Sequence, residues 1–437
     1  MNKNQNIKTF FQYVIPSVFS FALSGVYAIV DGYFVGNSIG DAGLSAVNIA
    51  YPVVAVIQAV GTGIGMGGAV GYSINKAEKN EGRARKFTAC ALWLLVVSSL
   101  ILSFGIFFLN NNLLKMLGAD GQMLSLGEEY IAIIALGAGL QVTGTGLVPF
   151  IRNNGGSFFA MVAMAAGFIT NIILDFLFVW IYGQGVAGAA LATIIGQGVT
   201  MLFALVYLVR KKQFTLKIQF HEIGGIAASV IITGIAPFGL AMTPNISLVI
   251  INRFSVLYGG EQAVATYACI AYIICIIYLI LQGVGDGSQP IISQYYGEKN
   301  FGGLYSTRRL AYGFAIFLSL AGCVIMYLSK GSLGILFGAS SEVNTEISKI
   351  IPIFLVSVPF VAINRITTAS FYATEKSIFS YILTFIEPLF MLILMLILPP
   401  LFGGQVMIWW STVFARILSA VMAIILNRYS ACAAECP

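Results

Sequence analysis

The chain has 437 residues, 58% hydrophobic and 9% charged, with a formal net charge of +6 and a mean hydropathy of +0.90. Such a chain leaves little room for a soluble domain. Its positive charge sits in short loops between apolar runs, which argues against nucleic-acid binding.

Apolar runs between charged or Gly/Asn-rich breaks predict twelve membrane spans, each long enough to cross about 30 Å of hydrocarbon at roughly 1.5 Å per residue. In chain order they fall at 10–36, 44–74, 88–109, 128–150, 160–182, 186–209, 229–257, 263–295, 307–328, 346–370, 377–401 and 405–427. The first lacks a strongly basic leader and an A-x-A cleavage site, so it reads as a retained helix. Basic loops around Lys76–Lys86, Arg210–Lys217 and Lys299–Arg309, with Arg365 counted among them, share one side; opposite lie only Lys115, Arg253, Lys330 and Lys349. By the positive-inside rule both termini are cytoplasmic.

A shift of 220 residues lays the first half on the second. Gly65-Met66-Gly67 falls on Gly285-Asp286-Gly287, Glu78-Lys79-Asn80 on Glu298-Lys299-Asn300, and Gly183 on Gly403. Six spans per half is an even number, so both halves enter the membrane from the same side. The expected fold is an all-α polytopic membrane protein. Its twelve transmembrane helices form two six-helix lobes related by pseudo-two-fold symmetry along the membrane normal. The lobes are assigned to residues 1–209 and 229–437, joined by a cytoplasmic linker at 210–228.

One constellation stands out against this apolar background. Asp31, Asp175 and Thr193 each lie six or seven residues from the outer end of their span, hence about 10 Å below the outer boundary. Asn171 sits one turn from Asp175 on the same helical face. Carboxylates inside a membrane are costly, and two at one depth suit a proton or a hard cation. Helix-to-helix hydrogen bonding is the plainer account of Asn171 and Thr193 taken alone. It is weaker for the carboxylates, which have no Lys or Arg at their depth in spans 1, 5 and 6.

At this point the sequence resembles the multidrug and toxic compound extrusion (MATE) family, in its bacterial drug-exporting branch. The likeness rests on Pro16 with Asp31, on Asn171-x-x-x-Asp175, and on the stretch from Gly183-Gln184-Gly185-Val186 to Gly188-Ala189-Ala190-Leu191-Ala192-Thr193. Gly285-Asp286-Gly287-Ser288-Gln289-Pro290 adds to it. The resemblance implies cation-driven export of organic cations and other amphiphiles by two lobes. It assigns Asp31, Asn171, Asp175 and Thr193 to proton or Na⁺ coupling, and Pro16 to bending of the first helix. No cofactor beyond the coupling H⁺ or Na⁺ is implied; the partners are small organic cations and membrane lipids. The expected setting is the bacterial cytoplasmic membrane, and the expected state is a monomer.

Other polar residues add candidates. Glu387, followed by Pro388 near the middle of span 11, reads as a second protonation or substrate site, or as a carboxyl satisfied by the opened backbone. Asp286, in its glycine-rich segment, reads as an inner gate or a structural group. Arg416 is expected to pair with an acid or to snorkel. Tyr33, Tyr51, Tyr267 and Tyr272 are candidates to line a drug cleft by cation–π contacts.

Competing functions are separable. An ATP-driven pump needs a phosphate loop, and no Gly-Lys-Ser/Thr occurs in the chain. With one histidine there is no plausible Ser–His–Asp set, so an enzyme is not expected. A lipid-linked oligosaccharide flippase would want arginines around its pyrophosphate, which the cleft candidates lack.

Overall fold

Helices account for nearly all of the computed structural model, which describes residues 3–213, 215–333 and 341–435. Among these residues there is no strand, as the bilayer requires of a chain whose backbone polar groups must be satisfied within each span. Ten helices are long and apolar enough to cross a membrane: α1 Gln5–Ser38, α2 Ala42–Ala77, α3 Glu81–Met116, α5 Ser157–Ile181, α6 Gly185–Arg210, α7 His221–Gly260, α8 Gln262–Gly297, α9 Phe301–Ser329, α11 Ser377–Phe402 and α12 Gln405–Ser430. Two bent pairs bring the number to twelve. These are α4, made of α4a Gly121–Leu136 and α4b Ala138–Asn153 at 57°, and α10, made of α10a Glu342–Leu355 and α10b Val358–Ala373 at 47°. Each expected span thus has a helix, but two that read as continuous runs are broken.

The 220-residue repeat is written into the backbone. Gly40 (φ 77°, ψ −169°) ends α1, and Gly260 (φ 64°, ψ −162°) ends α7. Both take extended mirror-image conformations open to glycine alone. Lys79 and Lys299 adopt left-handed φ of 64° and 55°. In the same turns Asn80 N–H donates to the Asn75 carbonyl and Asn300 N–H to the Tyr295 carbonyl, both at 2.9 Å. This is the six-to-one closure of a Schellman cap, made twice. The breaks in α4 and α10, at Gly137 and Ser357, are also 220 residues apart.

Two compact units result. One comprises Ile15–Met242 and Ser293–Phe301; the other comprises Met1–Val14, Thr243–Ile292 and Gly302–Pro437. The first transition falls at Val14–Ile15, one residue before Pro16, and the second at Met242–Thr243, one residue before Pro244. Helix α1 runs on through Pro16 with helical dihedrals, and the Ser20 hydroxyl donates to the Pro16 carbonyl at 2.8 Å.

Within the first unit, small residues let helices approach. A Cβ on Gly65 would lie 2.1 Å from the Gly146 carbonyl oxygen, so α2 and α4b touch backbone to backbone, the packing membranes favour where hydrophobic association is weak. Ile57, Leu95, Ile131, Phe150 and Tyr72 fill the core around this contact. In the second unit Trp409 is buried at the centre of an aromatic group. Tyr267 stacks on it with centroids 5.7 Å apart and Phe354 packs at 5.6 Å.

Candidate functional site

The predicted constellation assembles inside the first unit. Its geometry begins with glycine. A Cβ on Gly167 would fall 2.0 Å from Thr200 Oγ1 and 2.7 Å from the Gly196 carbonyl; one on Gly196 would meet the Gly167 carbonyl at 2.7 Å and Asn171 Cβ at 3.0 Å. Helices α5 and α6 therefore close to backbone contact. One turn beyond, Asn171 Nδ2 donates to Thr193 Oγ1 at 3.5 Å. Gly167→Leu is expected to force this seam open, at a cost of about 1–3 kcal/mol from overpacking. A melting temperature equal to wild type in detergent would show that the contact does not matter.

An aromatic seam aligns α1 with α5. Tyr27 stacks on Phe168 with centroids 5.1 Å apart at 12°; further out, Phe34 meets Phe176 at 6.3 Å and Trp180 at 6.1 Å. Between these layers the Asp31 and Asp175 carboxyls come within hydrogen-bonding reach of each other. Directly after Asp175 the helix widens into a π-turn over Phe176–Ile181, a local unwinding common at functional sites.

Asp175 is fully buried, Asn171 and Thr193 are buried, and Asp31 is partly buried. Four of their oxygens are enclosed without a hydrogen-bond partner: Asp31 Oδ1, Asn171 Oδ1 and both carboxylate oxygens of Asp175. Buried acceptors normally find donors, so a convergent group of orphan oxygens has the donor chemistry of a site for a proton or a hard cation. Two hydroxyls complete the surround: Tyr27 and Tyr130 both lie within reach of the Thr193 hydroxyl and in the field of both carboxylates. Neither tyrosine was singled out in the sequence. Tyr27 could have been, since it stands one turn before Asp31 on the same face; nothing marks Tyr130 among twenty tyrosines.

The MatE family pattern matches residues 16–177 and, again, residues 237–397. The chain belongs to the MatE family, the MATE transporters. The two matched segments begin 221 and end 220 residues apart, in step with the internal repeat. Curated relatives include the multidrug export protein MepA of Staphylococcus haemolyticus, 24% identical over 421 residues covering 95% of this chain and 92% of that protein. MepA of Staphylococcus aureus is 24% identical over 427 residues, covering 97% and 94%. Among solved structures, a MOP superfamily transporter from Pyrococcus furiosus, described as having a binding pocket of reversed polarity, superposes with a TM-score of 0.92 at 22% identity over 99% of this chain and 97% of that one. A MATE structure in a straight conformation gives 0.90 at 22% over 98% and 97%, and one in a bent conformation gives 0.87 at 22% over 100% and 98%.

The halves of this MATE transporter are chemically unequal. Adding 220 to Asp31, Asn171, Asp175 and Thr193 gives Ile251, Met391, Met395 and Val413, all fully buried apolar side chains. The second unit carries charge elsewhere. Arg416 Nε donates to Glu387 Oε1 at 3.3 Å, and its Nη1 donates to Ser357 Oγ at 3.2 Å, at the break in α10. Arg416 lies 5.0 Å from the Tyr278 ring centroid. Glu387 is thus held in an ion pair, and Arg416 pairs rather than snorkels. Asp286 is buried; its Oδ1 accepts from Gln282 Nε2 at 2.7 Å and from the Tyr372 hydroxyl at 3.1 Å. Arg365, counted with the loop charges from sequence, lies inside α10b and donates to Gln282 Oε1 at 3.2 Å. Three of the four cleft tyrosines, Tyr33, Tyr51 and Tyr272, are exposed; Tyr267 is buried against Trp409 and Phe354, where no drug can stack on it.

Proposed function

We propose that this MATE chain is a cation-coupled antiporter that exports organic cations and other amphiphilic drugs by alternating access. The observation that carries the reading is the set of orphan oxygens of Asp31, Asn171 and Asp175 within apolar helices. The printed names of the MepA relatives, multidrug export proteins, support the cargo. A flippase reading is disfavoured because each buried arginine of the second unit stands near a carboxylate, leaving no uncompensated pair for a pyrophosphate.

In this reading the coupling ion is a co-substrate. A proton taken up from outside neutralises one carboxylate of the pair; Na⁺ does the same with the Asn171 amide oxygen and the Thr193 hydroxyl completing an oxygen shell. Neutralisation removes the repulsion between Asp31 and Asp175, and α1 responds by bending at Pro16, next to which the chain passes from one unit to the other. The ion must prefer the bent state to shift the balance. The lobes at 1–209 and 229–437, both termini in the cytoplasm, a bacterial cytoplasmic membrane, lipid neighbours and a monomer complete the proposal, with no cofactor.

The test is counterflow of a fluorescent organic cation in proteoliposomes, with pH and Na⁺ gradients imposed separately. Uphill movement driven by one gradient is expected; equal movement with every gradient collapsed would defeat antiport. Spin-label pairs on α1 and α2 are expected to report a pH- or Na⁺-dependent distance change that Asp31→Asn suppresses. Distances that respond identically in both proteins would break the link to α1.

A further inference from the structure

The charged cluster of the second unit has no structural precedent in its own repeat. Subtracting 220 from Asp286, Arg365, Glu387 and Arg416 gives Met66, Thr145, Gly167 and Gly196, none of them charged. The fold therefore forms once without these charges, and their presence in the other half calls for a role beyond holding helices together.

Their order in space is alternating. Arg365 is close enough to Glu387 and Asp286 to interact with both, and Glu387 is bound to Arg416. Along α8 the residues Cys275, Tyr278, Gln282 and Asp286 follow at steps of three, four and four, which is one helical face. That face is open at one end and closed at the other. Cys275 is exposed and its neighbour Tyr272 is 46% exposed, whereas Asp286 is 4% exposed. Arg365 reaches from α10b to this same row, within interaction range of Cys275 and Tyr278. The Tyr278 hydroxyl is buried and makes no hydrogen bond, and the Glu387 side chain remains 13% exposed.

We infer that this row is a second ligand site, contained in the second unit, for molecules that carry a cationic and an anionic group on one aromatic body. An array of alternating sign offers little to a simple cation: what Glu387 attracts, Arg365 repels. A dipolar ligand gains at both ends, its carboxylate at the Arg365 guanidinium, which suits planar bidentate recognition, and its cation toward Glu387. The Tyr278 hydroxyl supplies a hydrogen bond it otherwise lacks. The carboxylate pair of the first unit has the opposite bias, so the two units would divide the cargo by charge type. The physiological sense of this site rests on the export reading; its chemistry does not.

The experiment uses the full chain with Cys275 as its single cysteine, the others changed to Ser, and follows modification of Cys275 by a maleimide. Rhodamine B, a zwitterion, is compared with its methyl ester, a cation of nearly the same shape. Rhodamine B is expected to protect Cys275 at concentrations about tenfold below those the ester needs, the worth of one charge-assisted hydrogen bond. Arg365→Gln should erase that difference and Arg365→Lys should retain part of it, which a merely structural arginine would not do. Equal protection by both dyes, protection by neither, or a difference that survives Arg365→Gln would overturn the site. If the dyes separate at Cys275 while no gradient drives organic cations, the export reading falls and this one stands.

Discussion

Asp175→Asn is expected to reduce gradient-driven export to the rate of protein-free vesicles while the protein still inserts, folds and melts at or above the wild-type temperature. The substitution keeps the shape of a side chain that is fully buried and whose two oxygens have no partner. It exchanges an ionisable group for a neutral one, which is cheaper to keep among apolar helices. Structure has nothing to lose; coupling loses the group that exchanges the ion. Asp31→Asn should behave alike, because two carboxyls in mutual reach titrate as a pair rather than singly. Thr193→Val, which removes one hydroxyl from the shell, should cost only about tenfold. Export by Asp175→Asn at more than a few per cent of wild type, at equal expression, would return Asp175 to a structural role.

The site could be found from sequence because helix rise is constant. Counting residues from the ends of apolar runs set Asp31, Asp175 and Thr193 at one depth, and the structure brings them together. The spans were equally plain, since hydropathy is loudest where every backbone group must be satisfied inside the helix. What stayed hidden depends on packing. The break at Ser357 lies in an apolar run with no proline at that position, and the π-turn after Asp175 follows a sequence that reads as ordinary helix. Arg365 looked like the cytoplasmic end of a span because hydropathy treats any arginine as an end; only the approach of Asp286 and Glu387 from other helices reveals that it is accommodated inside. Tyr130 joins the site from α4a through tertiary contact alone.

The second large effect concerns the Glu387–Arg416 pair, whose side chains are 13% and 6% exposed. Breaking a buried ion pair from one side leaves an uncompensated charge and costs about 3–5 kcal/mol, whereas replacing both partners by apolar groups of similar volume is often neutral. The surroundings make the two single changes unequal. After Arg416→Met, Glu387 still has Arg365 within interaction range. After Glu387→Leu, Arg416 keeps only the Ser357 hydroxyl and the face of Tyr278. Glu387→Leu should therefore lie near the full cost and Arg416→Met well below it. The double variant Glu387→Leu/Arg416→Met should recover most of the loss, as its repeat counterparts Gly167 and Gly196 show that α11 and α12 need no charge here to pack. Thermal or denaturant unfolding in detergent, arranged as a double-mutant cycle, measures the coupling. Additive losses from the two changes would mean that the pair contributes no mutual compensation, and that each side chain is held by its other neighbours instead.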